Sequence, residues 1–173
     1  MYSNRGTFQF GANDPSGLYS IHNIEVFLGT ATSLPEEPPG VDGPNGPFLD
    51  AAFCHFFYYF ATNTGGLFNT IYLDQNTVWT KGGQYVANLS PGSVIGSGAP
   101  LSNGVCTIYP ATSGFVQYSS NDLTLNLDIQ FLVNGTYYMY ETALDQEEKS
   151  SSGNGYALPG WSLWGYWQVG QAQ

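Results

Sequence analysis

The sequence predicts an all-β protein, built as an antiparallel β-sandwich of eight or nine strands. Two observations predict this fold. Apolar and polar side chains alternate with a period of two along most of the chain, as they do in half-buried strands. Clusters of Gly, Asn, Pro and Ser separate these stretches, and no stretch has the apolar face of a helix. With 173 residues and one uniform pattern, the chain is predicted to form a single domain, residues 1–173.

The clearest strand signal is LTLNLDIQFLV, from Leu123 to Val133. Six apolar residues at alternate positions lie on one face and four polar residues lie on the other, with Leu132 the exception. A helix would scatter the same leucines around its circumference. The other predicted strands are Thr7–Phe10, Ile21–Leu28, Phe53–Phe60, Phe68–Leu73, Val105–Tyr109, Phe115–Tyr118, Thr136–Thr142 and Trp161–Val169.

One turn signal is sharper than the others. The tetrapeptide VNGT places Asn-Gly between two apolar runs, which favours a two-residue type I′ hairpin. We therefore expect Leu123–Val133 and Thr136–Thr142 to be antiparallel neighbours in one sheet.

A proline-rich stretch, LPEEPPGVDGPNGP, interrupts the alternation at about residues 34–47 and holds five of the ten prolines. Proline lacks the N–H that a sheet ladder needs, so this stretch is predicted to be a long loop inserted into the domain. The simpler interpretation is a surface insertion, and the alternative is a loop that binds a partner or clasps a neighbouring subunit.

Charge excludes two classes of partner. The formal net charge is −10, and the cations are Arg5, Lys81 and Lys149 alone. Three scattered cations cannot bind a nucleic-acid backbone or an anionic membrane surface. No apolar run is long enough for a membrane-spanning helix, and the N-terminus has no apolar signal segment. We expect an extracellular or cell-surface protein, either as a trimmed mature domain with an added Met, which we favour, or as a chain exported by another route.

The octapeptide FCHFFYYF raises the question of cysteine chemistry. Cys54 and Cys106 are the two cysteines, each in a strand-like stretch. His55 is adjacent to Cys54 and therefore points to the opposite face of a strand, so it cannot serve Cys54 as a catalytic base. The two cysteines and two histidines also lack the spacing of a zinc site. A disulfide is the favoured interpretation, and it agrees with an oxidising compartment.

Six short motifs occur in a familiar order: FCHFFYYF, FNTIYLDQNTVWT, LSNGVCTI, NDLTLNLDIQFL, YYMYETALD and WGYWQV. Together they resemble an uncharacterised Ig-like β-sandwich domain. That domain is common, often as tandem repeats, in secreted and cell-surface proteins of environmental bacteria such as acidobacteria. The resemblance covers about residues 8–169. It implies an Ig-like sandwich with a Cys54–Cys106 bridge and implies no activity or cofactor.

The chain departs from two known patterns. The proline-rich stretch looks like an insertion relative to the family, and the last strand has more tryptophan than usual. An antibody-type domain would have Tyr two residues before its second cysteine, where this chain has Gly104. It would also have Trp soon after the first cysteine, whereas Trp79 follows Cys54 by 25 residues. "Ig-like" is therefore as far as the resemblance goes.

Aromatic residues supply the best functional candidates. If the cysteine and leucine faces form the core, several large rings are left for outward faces. Such rings could pack under loops, form an interface with a like subunit or neighbouring domain, or make a platform for sugars. The residues predicted to form a ligand-binding or subunit interface are Phe57, Tyr59, Tyr137, Trp164 and Tyr166.

These observations favour a non-catalytic structural or interaction module for adhesion, spacing or filament assembly. Its partners would be like subunits or neighbouring domains of a surface protein, and Thr7–Phe10 or the C-terminal tail could add as a strand to a neighbour's sheet. The alternative is a carbohydrate-binding module that uses its outward rings on a polysaccharide. No catalytic constellation, cofactor motif or metal spacing is recognisable. Asn88 and Asn134 fit the glycosylation acceptor pattern.

Overall fold

The protein is a β-sandwich of two antiparallel sheets that contain eleven strands between them. The computed structural model describes residues 4–15, 17, 21–30, 53–61, 67–75, 78–79, 85–86, 88–117, 119–145 and 162–170. The proline-rich stretch predicted as an insertion, residues 34–47, lies outside these described residues. Within them, no helix has the length and apolar character that crossing a membrane requires.

All nine predicted strands are present. Four further strands, β5 to β8, have two residues each, and such short segments carry no alternation that a sequence could reveal. The strands are β1 (Arg5–Asn13), β2 (Ile21–Gly29), β3 (Phe53–Ala61), β4 (Leu67–Leu73), β5 (Val78–Trp79), β6 (Tyr85–Val86), β7 (Ser93–Val94), β8 (Leu101–Ser102), β9 (Cys106–Ile108), β10 (Gly114–Gln117), β11 (Asp122–Phe131), β12 (Gly135–Asp145) and β13 (Ser162–Val169). One turn of 3-10 helix, Pro110–Thr112, precedes β10.

The smaller sheet, called sheet A, has the order β1-β11-β9-β8, and β10 also pairs with β11. The larger sheet, called sheet B, has the order β13-β12-β2-β3-β4-β7. The strands β5 and β6 pair only with each other among the described residues. The first strand, β1, and the last strand, β13, are therefore edge strands of different sheets.

The core lies between the two sheets and follows the predicted alternation. Along β11, buried and half-buried residues alternate without a break from Asp122 to Phe131. The leucines of β11 pack against the aromatic and aliphatic residues that β2, β3 and β4 direct inward. The largest fully buried side chains are Tyr58, Tyr137, Phe10, Phe27, Phe56, Phe60, Phe131, Ile24, Leu28, Ile71, Leu73 and Ile108.

The predicted hairpin between β11 and β12 is wrong. β11 belongs to sheet A and β12 to sheet B, so the link at residues 132–134 crosses between the sheets. Positive φ values in the described residues belong to Asn69 and four glycines, and neither Asn134 nor Gly135 is among them. A type I′ turn requires positive φ at both positions. The crossing places Phe131 and Tyr137 together in the core, with ring centroids 4.3 Å apart.

The predicted disulfide is confirmed, and it joins the two sheets. Cys54 lies on β3 in sheet B and Cys106 on β9 in sheet A, and a bond of 2.07 Å links their sulfurs. Both cysteines are fully buried within the core. The bridge therefore fixes the sheets face to face at the centre of the sandwich.

Candidate interaction face

The inward direction of Cys54 determines which side chains of β3 face outward. Cys54, Phe56 and Tyr58 are fully buried in the core. Phe57 and Tyr59 lie on the opposite side of the strand and are half-buried, as the alternation predicted. Their role as interface residues stays a prediction.

The neighbouring strands add rings to the same side of sheet B. We call this set the outer aromatic face: Phe27 of β2, Phe53, Phe57 and Tyr59 of β3, and Phe68 and Tyr72 of β4. Phe27 is buried, and yet it is not part of the core between the sheets. Sheet B thus carries aromatic side chains on both of its faces.

Gly29 makes room for Phe27 within this face. A β-carbon at position 29 would overlap Cε1 of Phe27, so the ring occupies the space of a side chain at that position. The ring also stacks on Phe53, with centroids 5.8 Å apart and planes at 23°. A glycine two residues after Phe27 therefore allows the ring to lie along the sheet rather than stand away from it.

A buried charge cluster sits beside these rings. The imidazole of His55 places Nε2 2.7 Å from Oε1 of Glu25 and Nδ1 3.2 Å from Oδ2 of Asp74. Glu25 is on β2 and Asp74 follows β4, so the cluster ties together three neighbouring strands. Phe57 packs on the imidazole, with ring centroids 4.6 Å apart.

The cluster favours a protonated histidine. Burial by itself disfavours the imidazolium and lowers the pKa of His55, but the hydrogen bonds to Asp74 and Glu25 outweigh it, and the pKa is raised above 6.5. Both ring nitrogens are engaged by carboxylates, which leaves neither of them available to take a proton from a substrate. The arrangement can hold three strands together and place a net negative charge under the rings.

The rings toward the β4 side of the face meet edge to face. Tyr59 contacts Tyr72 at 5.6 Å between centroids and Phe68 at 6.3 Å, with planes at 89° and 84°. Such pairs hold the rings in fixed orientations. Phe68 is 44% exposed, so the apolar surface continues to solvent at this side of the face.

The outer face of sheet A has the opposite character. Its cross-strand neighbours are polar pairs that satisfy one another. Arg5 makes a two-pronged ion pair with Asp128, at 2.8 and 2.6 Å, and its guanidinium stacks 3.8 Å above the ring centre of Tyr109. The amide nitrogen of Gln9 donates to the amide oxygen of Asn126 at 2.9 Å. The outer face of sheet B is therefore aromatic, whereas the outer face of sheet A carries polar side chains that pair across strands.

Tyr137 does not belong to either outer face, so its prediction as an interface residue is wrong. Its side chain is fully buried in the core. The ring packs on Phe131, and the hydroxyl donates to the carbonyl of Val133 at 2.9 Å. The hydroxyl therefore has a partner at the rim of the core, which removes the cost that burying it unpaired would carry.

The last strand separates its aromatic residues. Tyr166 pairs with Tyr138 on the outer side of sheet B and is 66% exposed. Trp167 faces the other way and contacts the core ring of Phe8, with centroids 5.2 Å apart. The register shifts between Met139 and Tyr140, which breaks strict alternation along β13. The backbone of Trp164 lies in β13, but its side chain is outside the described part of the structure.

The remaining candidates are spread over the surface. Asn134 is exposed in the link that crosses between the sheets, and Asn88 is exposed beside the bridge from Asp74 to Leu89. Their glycosylation stays a prediction. In the described residues, no group of three or more His, Cys, Asp or Glu side chains could hold a metal ion.

The cluster around His55 is the feature that the sequence analysis missed. Glu25 and Asp74 are 49 positions apart, and their approach depends on the register of three strands. The sequence signal for this cluster was a histidine, His55, on the outward side of a strand rich in aromatic residues. The chain matches no protein-family model, no curated protein and no solved structure. The resemblance to an Ig-like bacterial surface domain stays a prediction.

Proposed function

We propose that this protein is an extracellular, non-catalytic interaction module that associates with like subunits through the outer aromatic face of sheet B. One observation carries the proposal: the two outer faces of the sandwich differ in kind. The polar pairs of sheet A need no partner, whereas half-buried and exposed rings on sheet B gain free energy when a second surface covers them. Adhesion, spacing and filament assembly would all use such a face.

The covalent structure supports the extracellular setting. A buried disulfide between Cys54 and Cys106 forms and persists in oxidising compartments. Two sheets joined by one bridge also suit a protein that must survive without chaperones outside the cell.

Face-to-face association fits the strand pairing better than strand donation does. The segment Thr7–Phe10 is already paired with Leu125–Asp128 of its own chain. The segment Ser162–Val169 is likewise paired with β12. Donating either strand would break a ladder that the subunit already has.

Sedimentation velocity over a range of concentrations tests the proposal. We expect reversible association that strengthens as salt rises from low to physiological, because subunits of charge −10 repel one another when unscreened. Phe68→Ser and Tyr72→Ser should each weaken association by about tenfold or more, as truncated anchor residues do.

Val116→Ser is the matched control. Val116 is 41% exposed, close to the 44% of Phe68, but it lies on sheet A. This variant should associate as the wild type does. A chain that stays monomeric at every concentration and salt, or one that Val116→Ser weakens as much as Phe68→Ser, contradicts the proposal.

A second candidate function is carbohydrate binding, and the exposure of Tyr166 favours it. Two thirds of this side chain is open to solvent on the outer side of the edge strand β13. Sugars stack on such rings. The edge-to-face pairs around Tyr59 do not offer the same flat platform.

Calorimetric titration with cell-wall polysaccharides distinguishes the two candidates. Carbohydrate binding should be lost in Tyr166→Ala, retained in Phe68→Ser and nearly independent of salt. If no polysaccharide gives a heat of binding and the chain associates in a salt-dependent way, self-association remains as the proposed function.

A further inference from the structure

A carboxyl group lies inside the sandwich, away from the outer faces. Glu141 of β12 is 6% exposed and follows Tyr137 and Met139 on the side of the strand that packs on the core. Among the described residues, it is the buried acidic side chain that does not belong to the charge cluster of His55.

The carboxyl group reaches across from sheet B to sheet A. The backbone of Gly11, on the edge strand β1, lies near enough to affect the pKa of this carboxyl. Its oxygen Oε1 is buried and has no hydrogen-bond partner within the described structure. An ionised carboxylate can accept about four hydrogen bonds, so an unpartnered oxygen leaves much of that capacity unused.

No cation in the described residues compensates the charge. Glu141 pairs with Val26 of β2 and Ser162 of β13, and β1 lies opposite it. The charged or titratable residues of these strands face elsewhere. Glu25 binds His55 and His22 contacts Tyr59 on the outer side of sheet B, where Tyr166 is also exposed, and Arg5 binds Asp128 on the outer side of sheet A.

We propose that Glu141 is neutral in the folded protein, and that its ionisation makes the sandwich less stable in mildly alkaline than in mildly acidic solution. The neutral acid avoids leaving an uncompensated charge inside the sandwich, where Oε1 has no hydrogen-bond partner. Above neutrality the group must either ionise inside the sandwich or become exposed to water.

The direction and size of the effect follow from proton linkage. Burial raises the pKa of Glu141 from 4.5 to about 7, against a smaller opposing effect of the Gly11 backbone. The stabilisation is therefore fully present below pH 4.5 and is lost as the pH rises through about 7. Between pH 5 and pH 8.5 the unfolding equilibrium constant should rise by about 70-fold from this group.

Urea unfolding of wild type and Glu141→Gln at these two pH values tests the proposal. Glutamine keeps the size and the acceptor oxygen but cannot ionise. We expect the variant to lose this 70-fold part of the pH dependence and to keep the part that comes from His55. The matched control is Asp122→Asn: its half-buried carboxyl has a pKa that hydrogen bonds from Ser119 and Asn13 lower, so it titrates below this range and should leave the rise intact.

A titration of the wild type gives a readout that does not depend on any variant folding. The carboxyl ¹³C shift of Glu141 should move with a midpoint near pH 7. A midpoint below pH 5, or a Glu141→Gln variant with the same pH dependence as wild type, overturns the proposal.

Discussion

The ring of Phe27 lies over the α-carbon of Gly29, in the place that any other residue at position 29 would fill with its side chain. The ring atom Cε1 overlaps the place where that β-carbon would be. The same ring stacks on Phe53 of the neighbouring strand. This contact joins β2 to β3 on the outer side of sheet B.

Gly29→Ala should destabilise the protein, because Phe27 cannot keep its position and has little room to move. Overpacking of this kind costs about 1–3 kcal/mol. Urea unfolding measures the loss. Gly114→Ala is the control, since a β-carbon there meets nothing within 4 Å, and it should unfold as the wild type does. Equal stability of the two variants would show that the Phe27 ring does not occupy this position.

Alternation located the strands because their hydrophobic faces are regular. The run from Leu123 to Val133 and the inward direction of Cys54 both follow from a period of two. The pairing of two cysteines needed no geometry, because the chain has only two. Most of the secondary structure and the covalent link between the sheets could therefore be predicted.

Contacts between strands could not be predicted, because alternation does not assign a strand to a sheet. Asn134-Gly135 has the sequence of a hairpin, but Phe131 and Tyr137 both enter the core, and the link crosses between sheets. The grouping of Glu25 and Asp74 around His55 likewise depends on registers that only the folded sheet defines. The turn signal of Asn134-Gly135 was therefore misleading, because Phe131 and Tyr137 pack together in the core from strands of different sheets.

Removing the disulfide should cost about 4 kcal/mol, the chain-entropy value for a bridge whose cysteines are 52 positions apart. The double substitution Cys54→Ala with Cys106→Ala and chemical reduction of the wild type should lower the urea midpoint together. Stability that is the same in oxidised and reduced protein would mean that the bridge does not hold the sheets.

The charge cluster should make stability depend on the protonation of His55. Burial opposes the imidazolium, but its hydrogen bonds to Asp74 and Glu25 raise the pKa above 6.5. Its contribution is thus present below about pH 6.5 and is lost as the pH rises through the raised value. In an NMR titration of the imidazole, Glu25→Gln should lower the pKa of His55, while Asp122→Asn on sheet A should not. An unchanged His55 titration in Glu25→Gln would contradict the ion pair.

Tyr137 should behave as a core residue and not as an interface residue. Tyr137→Phe removes the hydrogen bond to the carbonyl of Val133 and should cost about 0.5–1.5 kcal/mol. Tyr138→Phe, on the half-buried outer side of the same strand, should cost little. Urea unfolding measures the loss of stability in both variants. Sedimentation velocity should show that neither variant changes association. If Tyr137→Phe weakened association and Tyr138→Phe did not, Tyr137 would have to be an interface residue.

Hydroxyl-radical footprinting in dilute and concentrated protein tests the central claim most directly, because it reports which face becomes covered. We expect the reactivity of Phe68 and Tyr72 on sheet B to fall as concentration rises, and that of Tyr109 on sheet A to stay constant. Protection of Tyr109 instead, or equal reactivity of all three rings at every concentration, would contradict association through the outer aromatic face.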